Sequence, residues 1–189
     1  MKQRFTTTQI IFIAAMVAFD FAFGMVVKTA LAPTGILGVV RLDMAVPVML
    51  MMLTRLLVDR FGTLMIYEGA WGLLSVLAMP GAFGLPGPLK LLPALAQGLV
   101  YDAVCSSMRR AGHVRLFVAA VTGGLAAMFV MVALKVALGM PWATVTKVLF
   151  GVQTVSAAGI NLLGAAFAVT VWGRIRDLHA VKRLRAQTT

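Results

Sequence analysis

The stretch Ile10-Ile11-Phe12-Ile13-Ala14-Ala15-Met16-Val17-Ala18-Phe19-Asp20-Phe21-Ala22-Phe23-Gly24 decides the fold class. Asp20 is its only ionisable side chain, and the surrounding apolar run extends over about 9–27. That approaches the ~20 residues needed to cross a hydrocarbon core of ~30 Å. Ala14, Ala18 and Ala22 recur at every fourth position. At ~100° per residue they occupy a stripe ~80° wide, flat enough for another helix backbone to approach closely. Asp20 lies ~200° round from Ala18, on the opposite face. A carboxylate near mid-membrane costs ~2.5–3.5 kcal/mol on insertion scales, so Asp20 must face protein or a cavity. With Asp20 turned inward, the alanines face lipid or another subunit. Packing within the chain is the competing use of the stripe.

Five further apolar segments follow, at about 42–58, 61–79, 87–104, 116–138 and 148–172. Hydrophobic residues make up 61% of the 189, and the mean hydropathy is +0.96, well above soluble composition. The expectation is a single all-α membrane domain over 1–189, a compact bundle of six spans without a soluble domain. The second segment opens beside Arg41 and Asp43 and has Pro47 just inside. The fourth opens on Gly87-Pro88-Leu89-Lys90 and contains Pro93, which predicts a broken or tilted helix.

A net charge of +11 would ordinarily suggest phosphate partners. Here the bases flank apolar segments, so topology explains them and nucleic acid is excluded as a partner. Twelve fall on one side: Lys2, Arg4, Arg55, Arg60, Arg109, Arg110, Arg115, Arg174, Arg176, Lys182, Arg183 and Arg185. Five fall on the other: Lys28, Arg41, Lys90, Lys135 and Lys147. This bias places both termini in the cytoplasm and makes the chain a multi-pass protein of the inner (cytoplasmic) membrane. The basic tail 174–189 reads as a helical extension at the inner surface. The N-terminal stretch with Ala30-Leu31-Ala32 mimics a signal peptide, but it is too long, holds Asp20 and is followed by Pro33. It is expected to be an uncleaved span.

Several chemistries lack their residues. Cys105 is the single cysteine, which excludes a disulfide or a thiolate metal site. His113 and His179 lie far apart in basic segments and read as surface histidines. Nucleophile elbows and phosphate-cradling glycine loops do not occur. The acids Asp20, Asp43, Asp59, Glu68, Asp102 and Asp177 are not spaced to bind a metal. The chain is therefore read as a non-enzyme without cofactor or metal.

Polar groups inside apolar segments are the candidate binding residues. Glu68 and Trp71 are three apart and share a helical face, where an acid beside an aromatic ring suits a polar ring or a cation. A buried Glu paired with a neighbour or protonated is the alternative. Gln97, Gln153 and Asn161 serve either interhelical bonds or a ligand. Asp102 is read as structural, paired with Arg109 or Arg110. Lys28, Arg41, Asp43, Lys90, Lys135 and Lys147 gather at the outer ends, joined by Trp142. Interfacial anchoring and snorkelling are their ordinary roles. Five cations around one mouth also suit an anionic solute.

The size, six spans, inside termini and Ala14-x-x-x-Ala18-x-x-x-Ala22 stripe resemble the substrate-binding (S) subunits of energy-coupling factor vitamin transporters. So does Gly81-Ala82-Phe83-Gly84-Leu85-Pro86-Gly87-Pro88-Leu89-Lys90, followed by Ala96-Gln97-Gly98-Leu99-Val100-Tyr101-Asp102. The resemblance implies high-affinity capture of a vitamin or vitamin precursor from outside. It implies docking onto a transmembrane coupling (T) subunit through Ala14, Ala18 and Ala22, with two cytoplasmic ATPases supplying the energy. It also implies that the loops after the first, third and fifth spans wall the pocket. Metal-transporting relatives begin with a metal-binding His that Met1-Lys2-Gln3 lacks, so a metal substrate is not expected. Two other classes remain open: a self-sufficient proton-coupled transporter or channel using Asp20 and Glu68, and a lipid-modifying membrane enzyme.

Overall fold

The structure, a computed structural model, describes residues 5–31, 33, 42–79 and 84–186. Among these residues there is no strand. The helices are α1 (Thr7–Leu31), α2 (Ala45–Leu57), α3 (Thr63–Ala78), α4 (Leu91–Ser107), α5 (Val114–Ala137), α6 (Trp142–Phe150), α7 (Val152–Ile175) and α8 (His179–Ala186). Short 3-10 turns at Leu42–Met44, Gly87–Lys90 and Arg109–Ala111 precede α2, α4 and α5. Three helical stretches are long and apolar enough to cross a membrane: α1, α5 and residues Thr154–Ile175 of α7. Their outward faces carry Ile11, Phe19, Val26, Phe129, Val155 and Phe167, all exposed. A water-soluble helix would present polar groups there, so the exterior is matched to lipid and the chain is a membrane protein.

At ~1.5 Å per residue the 13 residues of α2 reach only ~20 Å, short of a hydrocarbon core. Its position explains why it is nonetheless so apolar. Every residue from Leu50 to Leu57 is buried, and α2 touches α1, α3, α5, α7 and α8. It is the axis of the bundle, and an axial helix is apolar all round. Around it α1 packs on α3, α3 on α4, α4 on α5, α5 on α7, and α7 returns to α2. Glycines set the closest approaches. A Cβ on Gly98 would lie 2.6 Å from the Leu64 carbonyl oxygen, and one on Gly164 would lie 2.8 Å from that of Ala45. The ring of Tyr101 fills the space where Gly123 has no side chain.

Two expectations about segment boundaries require correction. The fourth segment, expected to be broken or tilted, changes from a 3-10 turn over Gly87–Lys90 to α4 at Leu91, and Pro93 is not the point of change. It is the third residue of α4, in the first turn, where its missing N–H costs no intrahelical bond. The sixth segment, read as 148–172, is divided: residues 148–150 complete α6, and α7 starts after Gly151 and continues to Ile175. Gly151 is extended, and a Cβ on it would run into the Lys147 carbonyl. The basic tail does form a helix, α8, whose Val181 and Leu184 pack against the core.

Candidate functional site

α1 presents two different faces. Gln9, Ile13, Val17, Asp20 and Gly24 are buried, while Ala14, Ala18 and Ala22 are exposed. The helical geometry expected from the spacing is thus the geometry observed. Asp20 is 2% exposed and accepts a 3.0 Å hydrogen bond on Oδ2 from the Tyr67 hydroxyl of α3. Its Oδ1 is buried and has no hydrogen-bond partner among the described residues. Glu68, next on α3, is buried as well, and the two carboxylates are close enough to interact electrostatically.

Aromatic groups lie on the same helices as this acidic pair, and an amide lies on α4. Trp71 lies one turn beyond Glu68 and meets Phe21 of α1 edge-on, with ring centroids 6.4 Å apart. The Lys28 ammonium sits 5.8 Å from the centre of the Trp71 ring and 3.9 Å from the Met79 sulfur. It also acts electrostatically on Asp20. From α4, the Gln97 amide donates a 2.9 Å hydrogen bond to the Tyr101 hydroxyl. Lys28, Glu68, Trp71 and Gln97 were expected from the sequence as binding residues; the fold links the first three with Asp20 between α1 and α3, while Gln97 reaches them only through Tyr101, which interacts electrostatically with Glu68. Tyr67 and Tyr101 were not singled out. A signal existed, because a Tyr hydroxyl inside an apolar segment needs a partner.

The arrangement can accept hydrogen bonds at Asp20 and Glu68 and stack a flat ring on Trp71. Lys28 now occupies the cation seat over that ring. The cluster therefore offers buried carboxylate acceptors beside an aromatic face that Lys28 covers.

Other expected site residues lie elsewhere. Lys90 is 1% exposed and donates to the Met79 and Ser75 carbonyl oxygens, at 2.7 and 3.4 Å. It satisfies the open C-terminal end of α3 instead of facing a mouth. Asn161 of α7 donates to the Ala120 carbonyl of α5 at 3.2 Å and abuts Gly124, an interhelical bond. Asp43 is buried beside the start of α2. Lys135 lies against Gly84, in the connection after α3. Trp142 and Lys147 are exposed on α6. Arg41, most of the connection 32–41 after α1, residues 80–83 and the Gln153 side chain lie outside the described residues.

A second polar network lies where α2 ends and α3 begins, beside the C-terminal end of α4. Asp102 accepts N–H bonds on Oδ2 from Gly62, Leu64 and Met65 at 2.9–3.0 Å, which caps the start of α3. Its Oδ1 faces the Arg55 Nε at 3.2 Å. Arg55 also reaches Asp59 at 2.7 Å and Ser106 at 2.9 Å, while Arg115 pairs with Asp59 at 3.0 Å. The structural role read for Asp102 holds, but its partner is Arg55 and not Arg109 or Arg110. The axial position of α2 brings Arg55 to it. The i,i+4 spacing of Arg55 and Asp59 was the available signal. His113 and His179 are exposed, as the sequence implied, and Cys105 is buried. Among the described residues no cluster of His, Cys, Asp and Glu could hold a metal ion. No protein-family model, curated protein or solved structure matches the chain.

Proposed function

We propose that the protein is the substrate-capturing subunit of an ATP-driven uptake system in the cytoplasmic membrane. It would bind a vitamin or vitamin-precursor solute and work with a transmembrane coupling subunit and two cytoplasmic ATPases, as the S subunits of energy-coupling factor transporters do. In this reading α1 to α5 and α7 form six membrane segments with both termini inside. The Asp20, Tyr67, Glu68, Trp71 and Gln97 cluster receives the solute.

The observation that carries the reading is the two-sidedness of α1. Its inward face holds the carboxylate of the polar cluster, and its outward face carries the exposed Ala14, Ala18 and Ala22 among the larger Ile11, Phe19 and Met25. Close helix contact in a membrane uses such small-residue faces. Ala14→Trp and Ala18→Trp are expected to abolish uptake in cells while leaving solute binding by the purified chain within about twofold, since no contact of the cluster changes. Native mass spectrometry of the protein as purified identifies the bound solute. Normal uptake by the Trp variants sinks this reading.

The unpartnered Asp20 Oδ1 beside Glu68 favours a second reading, a self-sufficient proton-coupled transporter. There, Asp20→Asn or Glu68→Gln stops uptake, the Trp variants do not, and uptake needs no ATPase.

A further inference from the structure

At the inner ends of the helices, away from the Asp20 cluster, a half-open pocket of about 170 Å3 lies between α2, the α4–α5 connection, α7 and α8. Its walls are Leu56 and Trp172, and its polar lining is the His113 imidazole with the guanidinium groups of Arg109, Arg115 and Arg185. Among the described residues no acid contributes to the lining. Of the lining arginines, Arg115 is paired with Asp59, which also engages Arg55. Arg109 and Arg185 form no ion pair among the described residues. Arg185 instead lies 5.2 Å from the centre of the Trp172 ring, which holds its guanidinium at the rim.

Two further features favour an anion there. The 24-residue α5 begins beside the pocket, and its first turn contains no acid, so the positive end of the helix is not neutralised by its own sequence. The pocket is also too small for a vitamin-sized solute, whose sites typically enclose ~300–1,000 Å3. It has room for a headgroup-sized anion.

We propose that this pocket binds a phosphate group, supplied by the headgroup of an anionic phospholipid. The location selects that source over soluble phosphate. The pocket opens where the apolar helices end, and α8 lies along this surface with Val181 and Leu184 packed inward and Lys182, Arg183 and Arg185 outward. Basic amphipathic helices and basic pockets between spans are placed to meet anionic headgroups.

The test is native mass spectrometry of the full chain in neutral detergent, titrated with phosphatidylglycerol or phosphatidylcholine. Phosphatidylglycerol should bind preferentially, and Arg109→Gln/Arg185→Gln should weaken it roughly 10- to 30-fold, given the usual contribution of each base near a membrane surface. Arg109→Lys/Arg185→Lys should retain most of the binding. Arg110→Gln/Arg183→Gln removes two exposed charges outside the lining and should change it by less than about twofold. Because Arg185 also packs on Trp172, the single variant Arg109→Gln is measured alongside and should lose roughly fivefold. Equal losses in the two Gln pairs, or no preference between the lipids, overturn the proposal. Displacement of phosphatidylglycerol by millimolar inorganic phosphate overturns the lipid as the source and assigns the pocket to free phosphate.

Discussion

Arg55 is fully buried in the axial helix, and Asp102 is buried opposite it. Neither could occupy that position alone, because an unpaired charge in the interior loses its hydration without compensation. Arg55→Met should therefore destabilise the protein by ~3–5 kcal/mol, the cost of leaving a buried partner uncompensated. Chemical denaturation in detergent measures it. The Asp20–Tyr67 bond is a smaller case of the same physics. Tyr67→Phe leaves a buried carboxylate without a hydrogen-bond donor and should cost ~1–3 kcal/mol. Asp20→Asn removes the charge that needs the donor, so the double variant should lose less than the sum of the singles. Strict additivity would show that the two groups do not support each other. Asp20 and its inward orientation were legible in the sequence, because the angle between helix positions is a local property. The identity of its partner was not, since Tyr67 reaches it from a helix 47 positions away.

Helix contacts in this bundle are controlled by where side chains are missing. Gly98 lets α4 lie against the backbone of Leu64 and Met65 on α3. Gly98→Val should force α3 and α4 apart and cost ~1–3 kcal/mol, visible as a lowered midpoint of thermal unfolding. Gly24 provides the contrast: a Cβ there meets nothing within 4 Å. Gly24→Ala should be neutral or stabilising by ~0.5–1 kcal/mol, because alanine favours the helical conformation that glycine must be held in. Destabilisation by Gly24→Ala would mean that α1 is packed differently. Both glycines look alike in the sequence. Apolar helices themselves were easy to recognise, because each long apolar run has one way to satisfy its backbone in lipid. The division at Gly151 and the harmless position of Pro93 depended on helix starting points, to which hydropathy is blind.

In the whole molecule the uneven distribution of basic residues predicts orientation. On a Cys105→Ala background, Lys147→Cys should react with a membrane-impermeant maleimide on intact cells. His179→Cys should react only after permeabilisation. Both positions are exposed, so access is set by the membrane and not by burial. Reversed labelling would invert the topology and place the basic pocket in the outer leaflet. Sorting bases by side was possible from the sequence, but the sorting assigned all twelve inner bases one meaning. The fold divides them: Arg55 is spent in a buried ion pair with Asp102, Arg115 pairs with the part-exposed Asp59 at the edge of the pocket, and Arg109 and Arg185 line that pocket without an ion pair among the described residues. The outer set divides too, since Lys28 covers Trp71 and Lys90 closes the end of α3.

Composition and periodicity were sufficient for an all-helical membrane protein and for the two faces of α1. Both follow from local rules, the length needed to cross lipid and the turn angle of a helix. Tertiary structure alone decided which helix forms the axis, which charges neutralise one another, and which polar groups gather around Asp20. Those outcomes depend on contacts between segments dozens of residues apart, where a single glycine sets how closely two backbones approach and no local pattern records the partner.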